Sequence, residues 1–342
     1  MKIIFLARLF YPHIGGVEKH AMEISKILLK KGSSVSVITE QLEGTKAKEE
    51  IDGITIYRVT AGGDDWFKKF RIWKGMWDLR DVIDEADIVH CHDIFFWYLP
   101  FRFLFPRKPV YTTFHGHEEY PISKKTIILR KLFEKLSRGT ILVSDSLKKW
   151  YKANPTYVIY GAVYANKQKR IKEILVNKKL KIVLLGRLDA DRGIETYIKV
   201  LNTLKINKIL YEFSVLGDGP LRNRIEKYAT RIGFVKNVDS YIQSADIIFS
   251  SSYLSILEAL HLKKLVVAVY ENPLKKDCLL ETPFTKFIIA SDNENIIYKK
   301  ILYLMRHKQE KEKLLDSAYL WVSKQTWEKM SNAYLNLWNV RT

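Results

Sequence analysis

Cysteine and long apolar runs are scarce in this chain of 342 residues. Its two cysteines, Cys91 and Cys278, exclude a disulfide framework and predict a reducing compartment. No apolar run reaches the roughly 18 residues of a membrane-spanning helix, and residues 1–9 enter a strand pattern without the features of a signal peptide. We therefore expect a cytoplasmic protein.

The net charge of +19 has three explanations: a nucleic-acid partner, an anionic membrane surface or a lysine-rich proteome. Both halves of the chain are basic, and no single block or tail carries the excess. Zinc-finger spacings and RNA-binding signatures are absent from the sequence. We therefore expect no nucleic-acid partner.

Apolar strand patterns alternate with amphipathic helix patterns along the chain. The length and the 47% of hydrophobic residues suit two α/β domains, each with its own core. Strands are predicted at residues 2–7, 35–39, 54–59, 87–92, 110–114, 140–143, 181–185, 213–216, 246–250 and 265–269. Helices are predicted at residues 18–30, 64–83, 293–305, 310–323 and 327–338. The polar stretch at residues 43–50 is predicted to be a mobile loop.

The stretch from Lys181 to Thr196 combines a buried strand with a potential anion-binding turn. Arg187 and Arg192 follow the strand, and Gly193 opens an amphipathic helix. The amides at a helix start carry partial positive charge, and the planar guanidinium group of arginine matches two phosphate oxygens. These residues alone fit a diphosphate site and a surface loop with solvated arginines equally well.

A family resemblance is carried by residues 186–193, which read GRLDADRG and are similar to the G-R-L-x-x-x-K-G signature of the retaining GT-B glycosyltransferases of family 4. The resemblance implies an α/β fold of GT-B architecture, in which two Rossmann-like domains face each other across a cleft. It also implies transfer of a sugar from a nucleotide diphosphate sugar, a UDP- or GDP-sugar, with retention of configuration and a role in polysaccharide biosynthesis. No metal or other cofactor is expected. The family roles imply that Arg187 and Arg192 hold the donor diphosphate beside Gly186, with Arg192 where the family usually has lysine.

Further segments carry the same resemblance. Gly15 and Gly16 resemble the family's N-terminal Gly-Gly loop, which lies over the donor phosphates. His115 matches the T-x-H-[DG] segment, whose histidine lies beside the transferred sugar and the donor phosphate. Residues 217–220, GDGP, match the G-x-G-P turn, and the backbone around Val235 resembles the segment that contacts the nucleobase.

The sequence departs from the family in the donor site. Members usually carry two glutamates separated by seven residues, the first contacting the sugar and the second the ribose. Glu258 matches the second, but Ser250 stands in place of the first. Either Ser250 is a weaker substitute, or the loop is shortened and the sugar is held differently. The helix-start amides of Ser255 and Ile256 are still expected to bind phosphate.

The segment DIVHCH at residues 87–92 raises the possibility of a metal site. Adjacent residues on a strand point to opposite faces, so at most His90 and His92 share one face. No second ligand pair with metal spacing follows. The sequence therefore predicts no metal.

An aromatic stripe with basic neighbours lies between residues 64 and 83. Its members are Trp66, Phe70, Trp73 and Trp77, with Lys68, Lys69, Arg71 and Lys74 nearby. The stripe either packs on its own domain's sheet or forms a surface for an anionic membrane. Under the second hypothesis the acceptor is a glycan or lipid-linked molecule at a membrane, and the protein is peripheral on the inner face of that membrane.

The predicted domains are residues 1–165, which bind the acceptor, residues 166–322, which bind the nucleotide sugar, and a helix at residues 323–342 that returns to the first domain. Two alternative functions remain open. The serine at position 250 suggests a catalytically weak GT-B binding subunit, and the charge suggests a nucleic-acid-modifying GT-B protein.

Overall fold

The computed structural model describes residues 1–116, 119–165, 179–235 and 238–339. The chain divides into two compact units. The first unit comprises residues 1–159 and 327–342, and the second comprises residues 160–326. The predicted domain boundary after residue 165 adjoins residues 166–178, which lie outside the described part of the chain.

The strands of the described residues are numbered in chain order. They are β1 (Lys2–Ala7), β2 (Ser34–Glu40), β3 (Lys48–Ile51), β4 (Ile54–Val59), β5 (Ile88–His92), β6 (Val110–Phe114), β7 (Gly139–Leu142), β8 (Tyr157–Val158), β9 (Leu180–Leu185), β10 (Tyr211–Leu216), β11 (Arg231–Gly233), β12 (Ile247–Phe249), β13 (Leu265–Ala268) and β14 (Ile289–Ala290).

The α-helices are numbered in the same way. They are α1 (Gly16–Lys30), α2 (Lys68–Asp78), α3 (Arg80–Glu85), α4 (Phe95–Leu104), α5 (Lys124–Leu136), α6 (Ser146–Tyr151), α7 (Ile194–Ile206), α8 (Arg222–Ile225), α9 (Val238–Ser244), α10 (Tyr253–His261), α11 (Pro273–Leu280), α12 (Glu294–Arg306), α13 (Lys308–Val322) and α14 (Trp327–Asn339).

The first unit is built on a sheet with the strand order β3-β4-β2-β1-β5-β6-β7-β8. Neighbouring strands are parallel except for β3 and β4. The strand order reverses between β1 and β5, and ligands of such sheets bind outside the carboxyl ends of the strands at this reversal. His92 ends β5 there.

Residues 43–50 are not wholly a loop, which corrects the prediction. Strand β3 begins at Lys48 and pairs antiparallel with β4, with Glu49 opposite Ile56. Its charged residues suit the edge of a sheet, where one row of backbone groups faces solvent. A short polar edge strand has little hydrophobic periodicity, so the sequence pattern missed it.

The second unit contains a parallel sheet with the order β11-β10-β9-β12-β13-β14. Central strand β9 is buried on both faces, because Ile182 and Leu184 join one apolar cluster while Val183 and Leu185 join another. The order reverses between β9 and β12, which places the residues after Leu185 at the ligand-binding end of the sheet. Each unit is thus a Rossmann-like α/β domain.

Helix α14 packs within the first unit. Its Trp327, Tyr334 and Trp338 are buried, at the helical spacing that the sequence indicated. The chain's last described helix therefore contributes aromatic side chains to the interior of the unit that begins with β1.

Candidate functional site

A small pocket lies at the carboxyl ends of β9 and β12 in the second unit. Its lining includes Gly186, Arg187, Arg192, Tyr197, Ser250, Ser251 and Ser252. The pocket therefore brings the two predicted diphosphate-binding arginines together with the start of α10.

A glycine turn fixes the backbone of this pocket. The amide of Gly186 donates to the carbonyl of Leu216 at 3.2 Å, and the amide of Leu188 donates to that of Asp218 at 3.0 Å. A Cβ on Gly219 would lie 2.9 Å from the backbone of Leu188. The predicted G-x-G-P turn thus holds in place the start of the loop that carries Arg187 and Arg192, which we call the arginine loop. The contact leaves no room for a side chain at Gly219.

The two arginines have different surroundings. Arg187 is exposed, and its Nη2 lies 2.9 Å from Asp189 Oδ2. Arg192 is 27% exposed, and its buried Nε has no hydrogen-bond partner among the described residues, since Asp191 Oδ1 is 3.6 Å away. A buried guanidinium N–H without an acceptor is costly, so an anionic oxygen at this position would stabilise it.

A third cation lies beside Arg192. Lys275 on α11 is buried, and its Nζ lies 3.1 Å from Asp191 Oδ2. Burial, together with the Arg192 guanidinium, lowers the pKa of Lys275, while Asp191 opposes that shift. Asp191 therefore lies between two cations and ties the arginine loop to α11.

Helix α7 begins after Gly193, whose φ of +75° favours glycine. A Cβ at Gly193 would overlap Val269, at 1.8 Å from its Cγ2. The hydroxyl of Thr196 donates to Glu271 Oε1 at 3.3 Å. The Glu271 carboxylate, from the loop after β13, therefore lies at the start of α7.

Helix α10 begins at Tyr253. The predicted phosphate-binding role of the Ile256 amide is therefore wrong. The Ile256 amide donates to the carbonyl of Ser252 at 2.9 Å inside the helix, so it is not available to a phosphate. Ser255 lies in the first turn, where amides have no carbonyl within the helix to bond. Of the two amides predicted to bind phosphate, only that of Ser255 is therefore available.

Ser250 lines the pocket, but its hydroxyl already has hydrogen-bond partners within the protein. The side chain is 1% exposed, and Oγ donates to the carbonyl of Leu185 at 3.0 Å. Only two residues, Ser251 and Ser252, separate Ser250 from α10. This placement contradicts a free sugar-binding hydroxyl at Ser250 and favours the shortened loop.

The other predicted donor residues occupy the same unit. Glu258 is half-buried on the second turn of α10. Val235 follows edge strand β11 and is half-buried, while its neighbour Phe234 is 64% exposed. The backbone of this segment is joined to the glycine turn, because the Gly217 amide donates to the Gly233 carbonyl at 3.2 Å.

His115 lies in the first unit, directly after β6, and is half-buried. Its Nε2 lies 2.8 Å from His92 Nδ1, and its amide donates to Asp93 Oδ1 at 2.8 Å. Burial lowers the pKa of His115 to about 3, so the ring is neutral at physiological pH. His117 and Glu118, which follow it closely in the chain and could reach an acceptor hydroxyl by sequence distance alone, lie outside the described residues.

The Gly-Gly pair forms the start of α1, with Gly15 as its N-cap and Gly16 as its first residue. Gly15 has extended backbone, and a Cβ there would lie 2.2 Å from Glu18 Oε2. Gly16 is exposed and has open space around it. Glu18 also lies 3.0 Å from His13 Nδ1, so a carboxylate covers the start of this helix.

Three of the four aromatic side chains of the stripe are exposed, contrary to core packing. Trp66, Phe70 and Trp77 are 73%, 47% and 51% exposed, whereas the buried side chains of α2 are Ile72 and Met76. The predicted single helix at residues 64–83 is divided into α2 and α3, and Trp66 precedes α2. Trp73 is half-buried and donates its Nε1–H to the carbonyl of Phe96 at 3.0 Å.

The basic neighbours of the stripe are partly neutralised. Lys68 lies 3.3 Å from Glu40 and 3.5 Å from Asp64, and Arg71 lies 3.0 Å from Asp65. The Lys69 ammonium lies 4.2 Å from the ring centroid of Trp66, and Lys74 is exposed. The stripe is therefore less positively charged than its sequence suggests.

The described residues contain no group of three or more histidine, cysteine or acidic side chains that could hold a metal ion. Burial raises the pKa of the Cys91 thiol, which keeps it protonated between the two strand histidines. Over the same part of the chain, no helix has both the length and the apolar character needed to cross a membrane.

Residues 14–166 match the family model described as Glycosyltransferase Family 4, and residues 179–307 match the one described as Glycosyl transferases group 1. The sucrose-phosphate synthase of Thermosynechococcus elongatus has a similar structure, with a TM-score of 0.80 and 15% identity over 98% of each chain. This chain is a GT-B glycosyltransferase.

Other solved structures share the fold at low sequence identity. A glycosyltransferase from Rickettsia africae has a TM-score of 0.73 and 18% identity, covering 98% of this chain and 97% of the other. Anabaena HepE in complex with UDP and glucose has a TM-score of 0.75 and 15% identity over 98% of both chains. No curated protein shows significant sequence similarity to this glycosyltransferase.

Several residues of these sites were missed in the sequence. Lys275 lies in a segment with no recognisable motif, and its role depends on α11 packing beside the arginine loop. His20 and Tyr334 are separated by 314 residues and meet only through the packing of α14. The helical spacing of Trp327, Tyr334 and Trp338 was the available signal, but it does not name a partner.

Proposed function

We propose that this glycosyltransferase moves a sugar from a nucleotide diphosphate sugar to a hydroxyl of a glycan or lipid-linked acceptor, with retention of anomeric configuration. The observation that carries the proposal is Arg192, whose buried Nε has no acceptor among the described residues at the mouth of a pocket that Arg187 also lines. A diphosphate supplies oxygens for both guanidinium groups. The structure of HepE with UDP and glucose is a further argument for a UDP-sugar.

The donor is bound by residues of the second unit. Arg187 and Arg192 bind the diphosphate beside Gly186, and the Ser255 amide at the start of α10 adds a backbone donor. Glu258 accepts hydrogen bonds from the ribose hydroxyls, and the backbone near Val235 contacts the base. Asp189 and Asp191 lie beside the two guanidinium groups, at 2.9 Å from Arg187 Nη2 and 3.6 Å from Arg192 Nε.

The proposed reaction needs no carboxylate nucleophile. The bond between the anomeric carbon and the phosphate oxygen breaks, and both electrons pass to that oxygen. The acceptor oxygen bonds to the anomeric carbon on the same face, and its proton passes to the departing phosphate oxygen. Charge grows on the diphosphate as this happens, so Arg187 and Arg192 stabilise the transition state by about 3 kcal/mol for each well-placed group.

The acceptor is proposed to be presented at an anionic membrane surface. Trp66, Phe70 and Trp77 are exposed aromatic side chains, and tryptophan favours the membrane interface. Lys69 and Lys74 supply positive charge beside them. The acceptor-binding role is assigned to the first unit, which carries this surface and His115.

Calorimetry with UDP and GDP tests the donor site without knowledge of the acceptor. We expect one of the two nucleotides to bind the wild-type chain, and Arg192→Ala and Glu258→Ala to weaken that binding at least tenfold. Glu328→Ala, an exposed carboxylate on α14, is the control for removal of an acidic side chain. Binding unchanged by both site variants would contradict the assigned roles.

A further inference from the structure

A hydrogen-bonded histidine cluster lies beneath His115 in the first unit. His92 Nδ1 lies 2.8 Å from His115 Nε2, and the ring of His20 packs edge-to-face on His115 with a centroid distance of 4.7 Å. His20, His90 and His92 are buried. One nitrogen of His115 therefore has a fixed partner inside the unit.

Buried hydrogen bonds link Trp338 to His20 through three intervening side chains, and the indole N–H of Trp338 fixes which atom carries each proton. Trp338 Nε1–H only donates, and it lies 3.1 Å from His90 Nδ1, so neutral His90 carries its proton on Nε2. That N–H donates to Thr113 Oγ1 at 2.7 Å, and the threonine hydroxyl then donates to Tyr334 Oη at 2.8 Å. The tyrosine hydroxyl completes the chain by donating to His20 Nε2 at 2.8 Å.

The bond between His92 and His115 lies outside that chain, and its direction follows from the other nitrogen of His92. His92 Nε2 is buried and has no hydrogen-bond partner among the described residues. A proton there would leave an N–H without an acceptor, which native interiors very rarely contain. His92 therefore carries its proton on Nδ1 and donates to His115 Nε2.

The backbone around His115 is held as firmly as its ring. Asp93 accepts the His115 amide, and Arg130 Nη2 donates to the carbonyl of Gly116 at 2.8 Å. The Arg130 guanidinium in turn lies over the ring of Tyr151, 3.7 Å from its centroid. The loop after β6 is thus fixed on both sides of the histidine.

We propose that His92 is a positioning residue that fixes the tautomer of His115, so that His115 presents Nδ1–H as a hydrogen-bond donor to an oxygen of a substrate bound at the first unit. Because Nε2 of neutral His115 accepts from His92, its proton is on Nδ1. His115 is then a donor and not a general base. This inference rests on the proposed function, in which the acceptor's proton passes to the phosphate oxygen.

Imidazole 15N spectra of the full chain test the tautomer directly, because protonated and unprotonated ring nitrogens give separate signals. We expect His115 to be protonated at Nδ1 and unprotonated at Nε2, with the signals assigned by their loss in His115→Ala. A proton on Nε2 of His115 would overturn the proposal. This result is independent of turnover.

Two substitutions of His92 test the effect on transfer. An asparagine amide donates from about the position of Nδ1, whereas leucine cannot donate. We expect His92→Leu to lower kcat/KM roughly tenfold to a hundredfold and His92→Asn to restore most of that loss. Equal losses in both variants would mean that His92 acts only by packing.

His90→Leu is the matched control, since His90 is buried in the same cluster but bonds Thr113 and Trp338 rather than His115. It should lower stability and leave the His115 tautomer unchanged, and a changed tautomer would contradict the proposal. Full turnover in His115→Ala, with loss of turnover in Arg192→Ala, would show that His115 has no role in the transfer. The 15N spectra would still decide the tautomer of His115.

Discussion

The Cβ that Gly217 lacks would lie 1.9 Å from the carbonyl oxygen of Gly186. Gly217 also has a φ of +155°, so both its space and its backbone conformation exclude a side chain. This contact joins the turn after β10 to the loop that carries Arg187 and Arg192. The geometry of the proposed diphosphate site therefore depends on a residue that contributes no functional group.

Gly217→Ala should destabilise the protein by at least about 3 kcal/mol, because the new methyl group meets backbone that cannot move aside. Gly233→Ala is the control: its φ is +129°, but a Cβ there meets nothing within 4 Å. That variant should cost only backbone strain, about 1–2 kcal/mol. Urea unfolding of both variants measures the difference, and equal losses would refute the steric explanation.

Arg192→Ala should lower kcat/KM by about 10²–10³-fold, because Arg192 meets a dianion whose charge grows at the transition state. Ser250→Ala should change kcat/KM less than about tenfold, since its hydroxyl bonds the Leu185 carbonyl. Steady-state kinetics with the nucleotide sugar that turns over compares them. Comparable losses would contradict both assignments.

Stability should fall as the pH is lowered from 6.5. Burial lowers the pKa values of His20, His90 and His92, and that of His115 to about 3, so the unfolded chain binds protons that the folded chain excludes. The free energy of unfolding is highest above pH 6.5, about the histidine pKa in the unfolded chain. Below that pH, each of these histidines lowers the free energy of unfolding by at most about 1.4 kcal/mol per pH unit.

Urea unfolding at pH 7.5 and pH 5.5 measures this dependence. His92→Leu should reduce this pH dependence, because one of the buried histidines is then absent. Equal unfolding free energies at the two pH values for the wild type would show that the cluster accepts protons in the folded state.

Membrane binding should depend on Trp66, Lys69 and Lys74. Replacing both lysines by glutamine should weaken partitioning onto anionic liposomes by about 2 kcal/mol, or roughly thirtyfold, and Trp66→Ala should weaken it further. Lys299→Gln with Lys300→Gln on α12 removes the same charge elsewhere. Co-sedimentation at low salt compares the variants. The proposed membrane-binding surface would be wrong if the wild-type chain does not bind anionic liposomes. It would also be wrong if the two double lysine substitutions weaken binding equally.

The sequence predicted the elements with strong periodicity. Residues 2–7, 54–59 and 110–114 were predicted as strands with the observed bounds, because apolar runs of strand length are buried in parallel sheets. The break between α2 and α3 was missed because no glycine or proline stands between Asp78 and Arg80 to mark it. The outward orientation of Trp66, Phe70 and Trp77 was not predictable either, since Ile72 and Met76 offer a second apolar stripe on the same helix.

The site was predicted where a motif is local and missed where distant segments meet. Arg187 and Arg192 lie within eight residues of one signature, whereas Lys275 reaches Asp191 only through the packing of α11. His92 was recognised on a strand, but its bond to His115 depends on the pairing of β5 with β6, which places His92 opposite Thr113. Hydrogen bonds between elements follow from packing that no single segment encodes.

The most direct test of the central claim is the anomeric configuration of the sugar released by slow hydrolysis of UDP- and GDP-sugars, with water as the acceptor. Proton NMR is recorded before mutarotation, beside Arg187→Ala and Arg192→Ala. We predict that the released sugar first has the anomeric configuration of the donor, and that both variants slow its release. An inverted product, or release unaffected by loss of either arginine, would contradict retention and the assigned diphosphate site.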